Sequence, residues 1–174
     1  MKIPATSLGA LVVAFVIAGF ASCAYATDDA ERRAQAEQAR FRILGAGLVP
    51  ATRLRAVDDL VVEDFVLTSA GTEVTGRAAF KAWIEAFQAK AKNVRLQAFE
   101  TFANADATRV TSRWQATGIN NGVLGTEPDG RPILFTGIAI WEIRWTADGP
   151  KLAHNWVERS AWELYQQLTA PAAD

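Results

Sequence analysis

The stretch AAFKAWIEAFQAK, residues 78–90, decides the fold class because it carries one broad aromatic stripe. Phe80, Trp83, Ile84 and Phe87 recur at the spacing i, i+3, i+4 and i+7, which predicts an amphipathic helix over Ala78–Lys90. A helix with so large an apolar face must pack on a comparably large surface. A sheet is the natural partner.

The residues after this helix change to the two-residue alternation of β-strands. The predicted strands are Phe65–Thr68, Val94–Phe102, Thr108–Thr117, Ile133–Trp145 and Leu152–Arg159. Further helical patterns cover Asp28–Leu44 and Arg53–Val62, and Trp162–Leu168 is a short closing helix or turn. This order predicts an α+β fold in which three helices pack on a curved, mostly antiparallel sheet with a cavity at its open end.

The N-terminus has the pattern of an export signal. Lys2 is followed by an apolar run over residues 8–19, and Ala24-Tyr25-Ala26 presents small residues at the cleavage positions. We therefore expect a signal peptide over residues 1–26, a single domain over residues 27–174, and a periplasmic or secreted protein. Cys23 is the only cysteine, and Phe20-Ala21-Ser22-Cys23 weakly resembles a lipoprotein cleavage box, so membrane attachment is expected only if Cys23 is lipidated.

Charge and composition exclude several classes of partner and cofactor. Loss of a leader whose one charge is Lys2 changes the net charge from −1 to −2, and no basic stripe indicates nucleic acid as a partner. With one histidine and no cysteine after the leader, a zinc site is not expected. No glycine-rich phosphate loop or nucleophile elbow is present, and we expect neither a cofactor nor a metal.

Four segments together resemble the SnoaL-like polyketide cyclases, a family within the superfamily that has the cone-shaped fold of nuclear transport factor 2. These segments are Gly76-Arg77-Ala78-Ala79-Phe80; Trp114-Gln115-Ala116-Thr117-Gly118 followed by Gly122 and Gly125; Pro128-Asp129-Gly130; and Asp148-Gly149 with Trp156, Leu164 and Gln167-Leu168. The likeness spans about Asp58 to Leu168. It implies a cone fold, a homodimer formed through the sheet, and an apolar pocket.

The chain departs from this family at two positions. In the cyclases an Asp four residues after the tryptophan of the last strand acts as the base, and Ser160 stands there in this sequence. Members often carry a His in the loop after their tryptophan strand, where this chain has Asn120. Both departures argue against cyclase chemistry.

Strand alternation would put His154, Trp156, Glu158 and Ser160 on one face, which faces the cavity if the family's Asp does. Glu158 is then a candidate base and His154 a candidate proton donor. Because i and i+4 on a strand lie about 13 Å apart, the two cannot form a direct hydrogen bond. The alternative is structural: Glu158 pairs with an arginine and His154 is partly exposed.

Candidate ligand-binding residues are aromatic or polar side chains near the expected cavity. They are Trp114, Trp141, Trp156, Ser160, Asn120 and Phe135. The sequence favours an exported small-molecule-binding domain with a small apolar ligand. The alternative is an acid/base enzyme of cyclase, isomerase or hydratase type acting on a small apolar carbonyl compound.

Overall fold

The computed structural model describes residues 28–39 and 50–171. The predicted signal peptide, Cys23 and residues 40–44 of the first predicted helix lie outside the described residues. None of the helices described is long and apolar enough to span a membrane.

The described part of the chain forms four helices and six strands. In order they are α1 (residues 28–39), α2 (Pro50–Leu60), β1 (Val61–Ser69), β2 (Thr72–Thr75), α3 (Arg77–Lys90), β3 (Ala91–Ala103), β4 (Arg109–Asn120), β5 (Pro132–Thr146), β6 (Gly149–Arg159) and α4 (Ala161–Thr169). A 3₁₀ turn at Val123–Gly125 lies in the loop between β4 and β5.

All six strands form one sheet in the order β2-β1-β6-β5-β4-β3. Only the β1–β6 pair is parallel, and the other four pairs are antiparallel. Helix α3 contacts both β1 and β3, which lie four positions apart in that order. The sheet must therefore curve around α3, and the predicted α+β fold with a curved, mostly antiparallel sheet is confirmed.

The aromatic stripe of α3 packs into the core as predicted. Phe80 and Ile84 are buried, and Phe65 lies 4.5 Å from Phe80 between ring centroids. The stripe continues through Trp83 and Phe87, whose rings are stacked 5.9 Å apart. These two side chains are only partly buried because they line open space between the helix and the sheet.

The segment around residue 61 differs from its sequence prediction. The apolar pattern predicted a helix as far as Val62, but α2 ends at Leu60 and Val61 begins a strand paired with Leu152. Tertiary pairing with β6 overrides the local helical spacing. Strand β2 was missed because it is only four residues long, joined to β1 by a tight turn in which Ala70 and Gly71 both have positive φ.

Candidate functional site

A cavity of about 110 Å³ lies between α3 and the concave face of the sheet. Phe80, Trp83 and Phe87 of α3 form one wall. The opposite wall comes from strands β4 and β5, including Trp114, Phe135 and Trp141. Large aromatic side chains thus frame the space from both sides.

The hollow exists because small residues alternate with these aromatics on the inner face of the sheet. Ala116 and Ala139 line the cavity, and Gly137 lies between Phe135 and Ala139 on the same face. The indole of Trp114 occupies the space where a Gly137 side chain would stand. Trp114 meets Phe135 edge to face, with ring centroids 5.9 Å apart. The inner aromatics are therefore held in fixed orientations around a space that small residues leave open.

Two polar side chains from β6 reach this apolar space, Asn155 and Arg159. Asn155 is 4% exposed, and its Nδ2 donates to the Ile140 carbonyl oxygen at 3.3 Å. Trp141 also lines the cavity, but its buried Nε1–H has no hydrogen-bond partner in the described structure. The cavity is thus apolar with a few polar groups, the usual composition of small-molecule sites.

Arg159 lies where the inner cavity meets an outer hollow. Its Nη1 donates to Ser69 Oγ at 3.1 Å, and its Cζ lies 5.0 Å from the ring centroid of Trp83, a cation–π arrangement. Burial lowers the pKa of the Arg159 guanidinium below its usual range, whereas the neighbouring Glu158 carboxylate raises it. The group still remains charged at neutral pH, because an arginine guanidinium is not deprotonated in proteins.

The outer hollow has a volume of about 320 Å³ and is open at the surface. It shares Trp83, Phe87, Val157 and Arg159 with the inner cavity. Lys90 and Glu158 contribute to its rim. A ligand could therefore occupy both spaces while passing Arg159.

The predicted orientation of β6 is wrong, because a β-bulge interrupts the strand. Ile143 pairs with Leu152 and Glu142 with His154, so Ala153 is the extra residue and the alternation changes phase there. Asn155, Val157 and Arg159 consequently face the cavity. His154 and Trp156 face the outer side of the sheet, and so does the side chain of Glu158, whose strand partner Ile138 is exposed on that face.

His154 belongs to a cluster on that outer face. Its Nε2 is hydrogen-bonded to Thr68 Oγ1 at 2.8 Å, and its ring stacks on Trp156 with centroids 3.7 Å apart. The Arg109 guanidinium lies over the Trp156 ring, with its Cζ 5.6 Å from the ring centroid. Arg109 also forms an ion pair with Glu142. The sheet separates His154 and Trp156 from the inner cavity, so the structure does not bring them together with Trp114, Trp141 and Phe135.

The profile described as SnoaL-like domain matches residues 47–153, more than half of the chain. The chain belongs to the SnoaL-like domain family. The resemblance read from the sequence motifs is thereby confirmed. No curated protein sequence matches the chain.

Solved structures agree with this SnoaL-like assignment at the level of fold. A protein of Jannaschia sp. CCS1, proposed to be a SnoaL-like polyketide cyclase, has 14% identity and a TM-score of 0.70 over 80% of this chain and 95% of its own. An epoxide hydrolase of M. tuberculosis described as LEH-like has 12% identity and a TM-score of 0.59, covering 78% of this chain and 86% of its own.

A third similar structure is a protein of Catenulispora acidiphila DSM 44928 with a ketosteroid isomerase-like fold, at 16% identity and a TM-score of 0.57 over 75% of this chain and 90% of its own. Identities this low show the fold alone. They confirm the predicted cone-shaped, nuclear transport factor 2-like fold.

Both family departures in this SnoaL-like domain have structural roles. The Thr136 backbone N–H donates to Ser160 Oγ at 2.9 Å, which joins the start of α4 to β5. Asn120 is buried, and its Oδ1 accepts from the N–H groups of Gly122 and Val123, both at 3.0 Å. Its Nδ2 donates to the Glu127 carbonyl oxygen and to Asp129. Neither side chain lines the cavity, contrary to the expectation that both bind ligand.

The predicted site is thus divided. Trp114, Trp141 and Phe135 line the inner cavity, and Glu158 lies at the rim of the outer hollow. Their roles toward a ligand or substrate stay predictions. Sequence reasoning missed Arg159 and Asn155. The available signal was the consecutive apolar pair Leu152-Ala153, which interrupts the two-residue alternation of the strand as an extra residue would.

No group of three or more His, Cys, Asp or Glu side chains within residues 28–39 and 50–171 is arranged to hold a metal ion. The acidic residues near the end of α2 have other partners: Asp58 pairs with Lys81, and Asp64 with Arg144 at 2.7 Å.

Proposed function

We propose that this SnoaL-like domain binds a small, largely apolar molecule in the cavity between α3 and the sheet, and that it is not a polyketide cyclase. The observation that carries the proposal is the lining of the cavity. Its described residues are aromatic and aliphatic except for Asn155 and Arg159. These groups can pack against a ligand and donate hydrogen bonds to it, but neither is a general base at neutral pH.

The cavity is large enough for such a role. An engineered cavity of about 150 Å³ in another protein admits benzene, so about 110 Å³ accommodates a compact ring or a short alkyl group. The outer hollow provides room for the remainder of a longer molecule.

A cavity-filling variant tests the proposal. Ala139 is 2% exposed and lines the cavity, so Ala139→Leu adds three carbon atoms to the space the ligand would fill. Ala89→Leu is the matched control, because Ala89 lies exposed on α3. Calorimetric titration with short alcohols and ketones should show binding by the wild type and by Ala89→Leu, and none by Ala139→Leu. Equal binding by both variants would contradict this location.

The second candidate function is acid/base catalysis on a small apolar carbonyl compound. Its support is Glu158, which contributes to the outer hollow beside Arg159, at the end of β6 where its side chain turns toward the outer face of the sheet. Glu158 would remove a proton while a cation stabilises the developing oxyanion. On this alternative Glu158→Gln abolishes turnover of a carbonyl substrate, and a fully active variant excludes it.

Export and dimer formation belong to the same proposal. The N-terminal pattern supports cleavage before Thr27, and intact mass measurement of the protein recovered from cells distinguishes this from lipidation at Cys23. Ile138 and Ile140 are 53% and 41% exposed on the outer face of the sheet, which supports pairing of two copies there. Ile140→Lys should then convert a dimer to a monomer in analytical ultracentrifugation, whereas an unchanged mass would rule out this interface.

A further inference from the structure

Arg159 differs from the paired arginines of the described structure. Those paired with a carboxylate are Arg77, Arg109, Arg131 and Arg144, whose partners are Glu63, Glu142, Asp129 and Asp64. Arg159 is partly buried, yet it forms no ion pair with a carboxylate among the described residues. Among the described residues its one hydrogen bond is to the neutral hydroxyl of Ser69.

A guanidinium carries five N–H donors, so most of the hydrogen-bonding capacity of Arg159 is unused by the described residues. Burying a charge without a counter-charge is unfavourable. The Trp83 ring compensates for part of this, since it lies 5.0 Å from the cation. The Glu158 carboxylate attracts Arg159 without a direct ion pair, so an anionic group of a ligand would supply the paired counter-charge.

The position of Arg159 defines where that anionic group lies. Arg159 lines both the inner cavity and the outer hollow, so it stands at their junction. On its inner side the lining residues are aromatic and aliphatic apart from Asn155. Lys90 adds a second cation on the outer side, and Glu158 is the one acidic residue among the described rim residues. A ligand that matches this gradient has one anionic end and one apolar end.

We infer that the ligand of this domain is an apolar monocarboxylate, whose tail fills the inner cavity and whose carboxylate is bound by Arg159 at the junction. This inference rests on the proposed binding function and specifies its ligand class. The planar fork of a guanidinium matches a carboxylate with two parallel hydrogen bonds. The inner cavity, about 110 Å³ against about 150 Å³ for an engineered cavity that admits benzene, limits the tail to about five or six carbon atoms.

Three unbranched probes of six carbon atoms each test the inference on the wild-type domain. Hexanoate, hexan-1-ol and hexylammonium differ in the head group, which is anionic, neutral or cationic, and isothermal titration calorimetry measures their affinities at pH 7. We expect hexanoate to bind roughly 10- to 100-fold more tightly than hexan-1-ol, the range of a hydrogen bond to a charged group. Hexylammonium should bind most weakly, because Arg159 repels it.

Variants identify the residue responsible. Arg159→Gln should reduce hexanoate affinity to that of hexan-1-ol and leave hexan-1-ol binding within about twofold of wild type. Arg159→Lys keeps the positive charge but lacks the planar fork of the guanidinium, so its affinity for hexanoate should lie between those of the wild type and Arg159→Gln. Arg113→Gln is the matched control, because Arg113 is exposed and its Cζ lies over Phe99. Thermal unfolding of each variant shows whether it is folded at the titration temperature.

The outcomes separate the inference from the function on which it rests. If hexan-1-ol binds and Ala139→Leu abolishes that binding, the proposed function stands. Equal affinity of hexanoate and hexan-1-ol in the wild type would then overturn the carboxylate inference alone, whether or not Arg159→Gln folds. If none of the three probes binds, both the proposed function and the inference fail for ligands of this size.

Discussion

Gly137 is the residue on which the shape of the cavity depends most directly. It has no side chain, and the indole of Trp114 lies in the vacant space. A Cβ atom built at residue 137 would lie 2.7 Å from Cη2 of Trp114, closer still to Cζ2, and 2.6 Å from the Glu158 carbonyl oxygen. Carbon atoms normally approach no closer than about 3.5 Å. Gly137→Ala must therefore displace the indole by about 1 Å.

The indole can move, but the Glu158 carbonyl oxygen belongs to β6, which is hydrogen-bonded to β5, so the backbone of these strands must shift as well. Overpacking of this kind costs about 1–3 kcal/mol, and the contacts at Gly137 place it near the upper limit. Replacement of Gly by Ala also reduces the conformational entropy of the unfolded chain, which offsets up to about 1 kcal/mol of this destabilisation. The net loss of unfolding free energy is about 2 kcal/mol, which lowers Tm by about 4–8 °C for a domain of this size.

Differential scanning calorimetry measures that change, and Gly118→Ala is the control. A Cβ at Gly118 would meet its nearest neighbours at 3.0 and 3.3 Å, so its destabilisation should be smaller. Trp114 lines the cavity, so Gly137→Ala should also weaken ligand binding, whereas Gly118→Ala should not. An unchanged Tm for Gly137→Ala, or a larger loss for Gly118→Ala, would refute this description of the inner face.

Further predictions concern buried polar groups and acid stability. Asn120→Ala should lower the unfolding free energy by about 3 kcal/mol in denaturant titration, because it leaves backbone N–H groups of the β4–β5 loop unpaired. Ser112→Ala should raise the unfolding free energy by about 1 kcal/mol, because the buried Ser112 hydroxyl has no partner in the described structure. Ser160→Ala should lower the unfolding free energy by about 1 kcal/mol, because it removes the acceptor for the Thr136 N–H of β5. A more stable Ser160→Ala than Ser112→Ala would contradict both assignments. Hydrogen bonds from the Asn120 side chain and, second, from the Arg131 backbone N–H lower the pKa of Asp129 in the folded state. The Asp129 carboxylate therefore stabilises the fold fully above its unfolded pKa of about 3.9. This stabilisation is lost as the pH falls through the lower pKa of the folded state. Tm should thus fall on acidification below about pH 4, and less steeply in Asp129→Asn, where an equal slope would exclude Asp129 as a contributor.

Local patterns in the sequence were sufficient to predict most of the fold. The aromatic stripe of α3 and the long alternating strands that follow it fixed the helix-on-sheet arrangement, because each pattern repeats over ten or more residues. Strand β2 and the start of β1 could not be predicted in this way. The start of β1 depends on pairing with a residue far along the chain, Val61 with Leu152, which local periodicity does not report. Strand β2 is a four-residue hairpin partner of β1, too short to show a repeating pattern.

The candidate site was predicted only in part, for a different physical reason. The inner positions Trp114, Phe135 and Trp141 follow from regular alternation on β4 and β5. On β6 a single extra residue at Ala153 reverses the faces, because side chains alternate with a period of two. Hence Arg159, rather than His154, reaches the cavity.

The most direct test of the account uses the six tryptophans of the chain as reporters. Those that line the inner cavity are Trp83, Trp114 and Trp141; those that do not are Trp145, Trp156 and Trp162. An NMR titration that follows the indole N–H signals during addition of hexanoate or hexan-1-ol separates the two groups. The account predicts saturable shifts of Trp83, Trp114 and Trp141 with little change in the others. Shifts confined to Trp145, Trp156 and Trp162, or no shifts with either probe, would contradict the claim that this cavity binds a small apolar molecule.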